Sequence, residues 1–131
     1  MRILLVDDDP ASLKLAAKIL EPAGECVAVT GGRDAIAEYS RGLFNDNPFS
    51  LVLLDIMMPV VNGHETLIEL RNLEKSYELE NNKRAVIIMT TALSDTENFM
   101  QAFEEHCSGY LIKPLKREAV REELQKHSIN L

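Results

Sequence analysis

The chain has 131 residues, 46% of them hydrophobic, and a formal charge of −7. That length and apolar content suit one domain with a real core and exclude a disordered polymer. The negative balance argues against nonspecific nucleic-acid binding, which needs a basic surface, and no apolar run approaches the roughly 20 residues that span a bilayer. The N-terminal apolar stretch is too short and too soon acidic for a signal peptide. Cys26 and Cys107 lack the clustered spacing of zinc or redox pairs and read as small buried apolar side chains. A reducing, cytoplasmic compartment fits these features.

Five short apolar runs alternate with helical patterns. The first, Ile3–Val6, stops abruptly on Asp7, Asp8 and Asp9. A run of this kind, bounded by turn chemistry, reads as a strand buried on both faces of a parallel sheet. Asp9 is placed to cap the first helix and Pro10 suits its first turn, with Leu13, Ala16, Ala17 and Leu20 as the apolar stripe. A strand at Cys26–Val29 leads through Gly31-Gly32 to a second helix with stripe Ala35, Ile36, Tyr39 and Leu43. The third strand, Leu51–Leu54, ends on Asp55, and a third helix carrying Leu67, Leu70 and Leu73 begins after Asn62-Gly63.

The polar stretch from Glu74 to Arg84 is long for a connection and reads either as an extension of the third helix or as a loop. A fourth strand at Ala85–Met89, a fourth helix from Asp95 to Cys107, a strand at Tyr110–Ile112 and a fifth helix from Lys116 to His127 complete the pattern. In the fourth helix Phe99, Met100, Phe103 and Cys107 make a stripe that reads first as packing on the sheet, and alternatively as wide enough to leave an aromatic on the output face. His64, His106 and His127 are scattered and read as solvated. Strict alternation of strand and helix gives an α/β fold with helices on both faces of a parallel sheet, and ligands of such folds bind outside the carboxyl ends of the strands.

The residues just beyond those ends form an unusual set. Asp7 and Asp8 follow the first strand, Asp55 the third, Thr90 and Thr91 the fourth, Lys113 and Pro114 the fifth. Carboxylates brought this close repel one another, and a hard divalent cation among them relieves the repulsion. Three carboxylates, a hydroxyl and one ammonium suit the handling of a phosphoryl group, and a carboxylate can itself be the nucleophile. Asp55 is the better candidate because it stands alone, while Asp7 and Asp8 form a ligand pair.

With Val6-Asp7-Asp8, Leu54-Asp55-Ile56-Met57-Met58-Pro59, Asn62-Gly63, Thr91-Ala92 and Tyr110-Leu111-Ile112-Lys113-Pro114 in this order, the chain resembles the receiver domain of two-component response regulators, and most closely its single-domain, CheY-like members. The resemblance covers residues 1–131 and implies a doubly wound, three-layer fold of five parallel strands in order 2-1-3-4-5, an order for which a member of this family is a standard example. It implies Asp55 as phosphoacceptor, with Mg²⁺ (or Mn²⁺) bound by Asp8 directly, Asp7 through water, Asp55, and the Met57 backbone carbonyl. It further implies Lys113 as the phosphoryl-binding lysine, Met57 and Ala92 as backbone contacts to the phosphoryl group, Thr91 rather than Thr90 as switch hydroxyl, Tyr110 as aromatic switch, and a cis Lys113–Pro114 bond.

Two features depart from the family. The Glu74–Arg84 segment is several residues longer than usual, and Leu93 puts an apolar side chain near the phosphoryl site, where it bears on the lifetime of the modified state. The implied donor is a phosphohistidine on a sensor kinase or phosphotransfer protein, or a small acyl phosphate. The implied output is a change in the surface of the fourth helix, fifth strand and fifth helix that controls a partner protein. Val60 and Val61 are candidate kinase contacts. The monomer or a phosphorylation-dependent homodimer is the expected state, with no direct nucleic-acid or membrane partner and no enzymatic turnover beyond the chain's own phosphorylation and dephosphorylation. Alternatives are a receiver cut from a larger regulator or hybrid kinase, and a Mg²⁺-dependent phosphohydrolase using Asp7 and Asp9, although Pro10-Ala11 does not continue that motif. Flavin or nucleotide binding would want a hydroxyl- or Gly-rich loop after the first strand instead of three acids.

Overall fold

The computed structural model describes residues 1–92 and 106–131. Strands β1 (Arg2–Val6), β2 (Glu25–Val29), β3 (Leu51–Asp55), β4 (Val86–Thr91) and β5 (Gly109–Ile112) form one parallel sheet in the order β2-β1-β3-β4-β5. Among the described residues the helices are α1 (Pro10–Leu20), α2 (Gly32–Phe44), α3 (Gly63–Ser76) and α4 (Arg117–Gln125), the last being the helix expected from Lys116 to His127. The expected CheY-like doubly wound fold and strand order are present. The fourth predicted helix, its aromatic stripe and Leu93 lie outside the described residues, apart from His106 and Cys107. No described helix is long and apolar enough to cross a membrane.

Burial explains the layering. The apolar runs of β1 and β3 are closed to water on both sides, and their alternating side chains divide between two cores. Ile3, Leu5, Leu51, Leu53, Ile88 and Leu111 pack with α1 and α4, while Leu4, Val6, Val52, Leu54, Ile87 and Met89 pack with α2 and α3. Each fully buried Leu or Ile stabilises the fold by roughly 1.5–3 kcal/mol. Ile19, not part of the predicted α1 stripe, is buried with it at 4% exposure. Helix starts follow their sequence signals: Asp9 accepts from the Ala11 N–H, with Pro10 in the first turn, and Asn62 forms a reciprocal capping box with Glu65.

Several expectations need correction. β3 and β4 run further than predicted, so Asp55, Thr90 and Thr91 are ladder residues instead of turn residues, with Asp55 paired to Thr90 and Thr91 to Ile112. The polar stretch, open between helix extension and loop, does both: α3 continues through Glu74 to Ser76, and a 3₁₀ turn at Asn81–Lys83 precedes β4. Glu74 itself is wholly buried. Its Oε2 accepts from the Tyr39 hydroxyl at 2.5 Å and the Ala85 N–H at 2.9 Å, and its Oε1 pairs with Arg71 at 2.7 Å. Arg71 also donates to the carbonyls of Ala85 and His106, at 2.9 and 2.7 Å. This network ties α2, α3, β4 and the entry to β5 together. Both cysteines are half-buried, not fully buried. His127 is half-buried and only partly solvated: its Nε2 is shut off from water and lies 3.4 Å from Glu123 Oε2.

Candidate functional site

The carboxyl edge of the sheet collects the expected acids. β1 and β3 are direct neighbours in register, Val6 opposite Leu54, so Asp7 and Asp55 emerge side by side. Asp7 and Asp55 are buried and Asp8 is exposed; one carboxylate oxygen from each lies within 4.8 Å of the other two. Gly63 lets the following helix approach. A Cβ there would stand 2.2 Å from the Asp55 carbonyl oxygen, so only glycine fits between α3 and the end of β3.

Lys113 enters from two strands away. Its N–H donates to the Thr91 carbonyl at 2.7 Å, which anchors the end of β5 on β4. The side chain crosses to the acids, with Nζ 2.5 Å from Asp7 Oδ2 and 3.5 Å from Asp55 Oδ2. The Lys113–Pro114 peptide is cis, as expected. The remaining carboxylate oxygens have backbone donors: Asp7 Oδ1 accepts from the Asp9 N–H at 2.9 Å and Asp55 Oδ1 from the Met57 N–H at 3.4 Å. The Lys113–Asp7 pair, bridging 106 positions in sequence, is a contact that sequence reasoning did not foresee.

Burial pushes the Asp55 carboxyl up to about 6; the Lys113 charge opposes that shift and the Asp7 charge adds to it. Burial draws the Lys113 ammonium down, but the hydrogen bond to Asp7 and the charges of Asp55 and Asp7 outweigh it and hold the group above its usual value. With all three acids ionised, one ammonium leaves two negative charges uncompensated. Hard oxygen donors at this spacing, short of positive charge, suit a Mg²⁺-sized cation. Asp9 is set apart, its carboxyl occupied by the Ser12 hydroxyl at 2.9 Å and the Ala11 N–H at 3.2 Å, which lower its pKa.

Thr90 and Thr91 are both buried, and Thr90 stands opposite Asp55 in the ladder. Tyr110 pairs with Met89, which shares a sheet face with Thr91, so Tyr110 and Thr91 lie on the same side of adjacent strands. Tyr110 is 40% exposed. Met57 and Val60 project from the loop after β3, and Val60 adopts φ 67, a left-handed conformation that β-branched residues rarely take. Nothing in the apolar character of Val60 signalled that backbone. Ala92 is exposed, directly after β4.

Comparison with known proteins places this geometry. The family model described as "Response regulator receiver domain" matches residues 3–125. Regulatory protein VanRB of Enterococcus faecalis is 39% identical over 117 residues, covering 88% of this chain and 47% of that protein. The chain thus spans less than half the length of that relative, and 7% of a Dictyostelium discoideum hybrid signal transduction histidine kinase. Chemotaxis protein CheY4 of Vibrio cholerae superposes with a TM-score of 0.75 at 26% identity, over 95% of this chain and 96% of that one. The receiver domain of the Arabidopsis thaliana histidine kinase CKI1, solved with Mg²⁺ and BeF₃⁻, gives 0.78 at 26% identity, over 95% and 89%. The sheet matches the two solved structures in fold, its acidic edge is of the kind that holds Mg²⁺, with which the CKI1 receiver was solved, and the chain belongs to the response regulator receiver domains, the phosphoacceptor modules of two-component signalling.

Proposed function

We propose that this chain accepts a phosphoryl group on Asp55 from the phosphohistidine of a sensor histidine kinase or phosphotransfer protein, and in response controls a partner protein. The observation that carries the reading is the meeting of Asp7, Asp8 and Asp55 within 4.8 Å with Lys113 Nζ shared between Asp7 and Asp55. Asp8, Asp55 and the Met57 carbonyl would hold Mg²⁺, with Asp7 joined to it through water; Mn²⁺ is the alternative ion. When bound, the cation supplies positive charge to the phosphoryl oxygens. An Asp55 carboxylate oxygen forms the new bond to phosphorus as the bond to the donor's imidazole nitrogen breaks. Lys113 offsets charge on the phosphoryl oxygens, the Met57 and Ala92 N–H groups donate to them, and Thr91 adds its hydroxyl.

Drawing Thr91 toward the phosphoryl group frees space on the face it shares with Tyr110, which then turns inward. The surface of the fourth predicted helix, β5 and α4 changes with it, biasing an existing equilibrium by about 1–3 kcal/mol. The chain acts as one receiver domain over residues 1–131, in the cytoplasm, as a monomer or a phosphorylation-dependent homodimer, without direct nucleic-acid or membrane binding. A receiver that is part of a longer regulator or hybrid kinase is a second reading, favoured by the small share that this chain covers of several relatives. A phosphohydrolase using Asp7 and Asp9 is disfavoured, because the Asp9 carboxyl is committed to capping α1.

The test is incubation with acetyl phosphate and Mg²⁺, followed by intact-mass measurement. The wild-type chain gains one phosphoryl mass, while Asp55→Asn and wild type in EDTA gain none. A wild-type chain that stays unmodified overturns the reading.

A further inference from the structure

The long connection before β4 builds a second concave feature, at the opposite edge of the sheet from Asp55. The C-terminal half of α3, the 3₁₀ turn and the entries to β4 and β5 enclose an open depression of about 450 Å³. Its polar lining is Arg71, Lys75, Asn81, Arg84, His106 and Ser108, with no carboxylate among the lining residues. That is unexpected in a chain with 21 acidic residues against 14 basic ones. Arg71 is already neutralised by Glu74. Lys75 and Arg84 form no ion pair among the described residues. Arg84 is half-buried; its Nε donates to the Leu79 carbonyl at 3.3 Å, while its Nη groups reach solvent and make no protein hydrogen bond among the described residues. Nη groups held in place through Nε and open to solvent can donate a bidentate, charge-assisted pair of hydrogen bonds to an incoming anion.

We propose that this depression binds a small phosphate-bearing anion. Arg71 and Lys75 stand one turn apart on α3, and Arg84 faces them from the entry to β4. Two unpaired cations match a phosphate monoester, whose charge is about −1.5 to −2, better than a single carboxylate. The Asn81 amide and the Ser108 hydroxyl add neutral donors, and the volume lies in the range of small-ligand sites, roughly 300–1,000 Å³. β4 runs from the depression to the Asp55 edge, about 17 Å away at the usual strand rise, so the two sites are distinct. Phosphoryl transfer at Asp55 and binding here therefore stand or fall separately.

The test is a ¹⁵N NMR titration of the full chain in EDTA, with inorganic phosphate as the probe and acetate at matched ionic strength as the control. Phosphate produces saturable shifts at the amides of Lys75, Arg84, Cys107 and Ser108, and acetate does not. Lys75→Gln and Arg84→Gln each weaken binding about three- to fivefold, as loss of one partly exposed charge contact does. Shifts that fail to saturate, that acetate reproduces, or that are confined to Asp7, Asp55 and Lys113 overturn the proposal. Should Arg84→Gln perturb the fold by circular dichroism, Lys75→Gln on the exposed side of α3 decides, and unchanged affinity there also overturns it.

Discussion

Asp55 is a source of instability in the metal-free chain. Its buried carboxyl has a folded-state pKa of about 6 against 3.8 for the free group, so the folded state holds a proton that the unfolded chain has released. Stability in EDTA therefore falls as pH rises from about 4 to 6, by up to about 3 kcal/mol at roughly 1.4 kcal/mol per pKa unit. Asp55→Asn keeps the shape without the charge. Urea titrations in EDTA are expected to show it more stable than wild type at pH 7.5, by about 1–3 kcal/mol, with the gap closing near pH 4. Val60 is a second strained residue. It is 82% exposed with φ 67, so it has conformational cost and little burial to offset it. Val60→Asn, which tolerates the left-handed region, is expected to raise stability by about 1 kcal/mol, measured by the same titration.

At the scale of elements, the network around Glu74 fixes where α3 lies. Tyr39 from α2, Arg71 one turn earlier on α3 and the Ala85 N–H leave neither Glu74 oxygen unpaired. Burial, together with the hydrogen bond to Glu74, holds the Tyr39 hydroxyl far above its ordinary pKa, so it serves as a donor at all working pH values. Tyr39→Phe removes that donor and leaves a buried carboxylate short of one partner. A loss of about 1–3 kcal/mol is expected, read as a lower urea midpoint with an unchanged slope. This element was poorly legible in sequence, because a Glu in a polar stretch reads as solvated until a partner 35 positions away is brought over it. The capping signals of α1 and α3 were legible, since Asp9-Pro10 and Asn62-Gly63-His64-Glu65 act within a single turn.

For the whole molecule, the acidic edge is expected to link stability to metal. A cation that binds only the folded chain stabilises it by about 2.7 kcal/mol at a hundredfold excess over Kd. Thermal scans with increasing Mg²⁺ are expected to raise the wild-type midpoint in proportion to the logarithm of concentration and to move Asp8→Ala far less; equal shifts in both would remove Asp8 from the ligand set. The sequence by itself determined the layer architecture, the strand order through its family resemblance, and the Asp7, Asp8, Asp55 and Lys113 set. Apolar runs, caps and strand-end acids are local signals, and parallel strands must bring their ends to one edge. Only the tertiary structure decided that Lys113 leans on Asp7, that Thr90 stands opposite Asp55, that Glu74 is buried and that Lys75 and Arg84 share a depression. Those facts depend on register and on side chains meeting across elements distant in sequence, which no local pattern encodes.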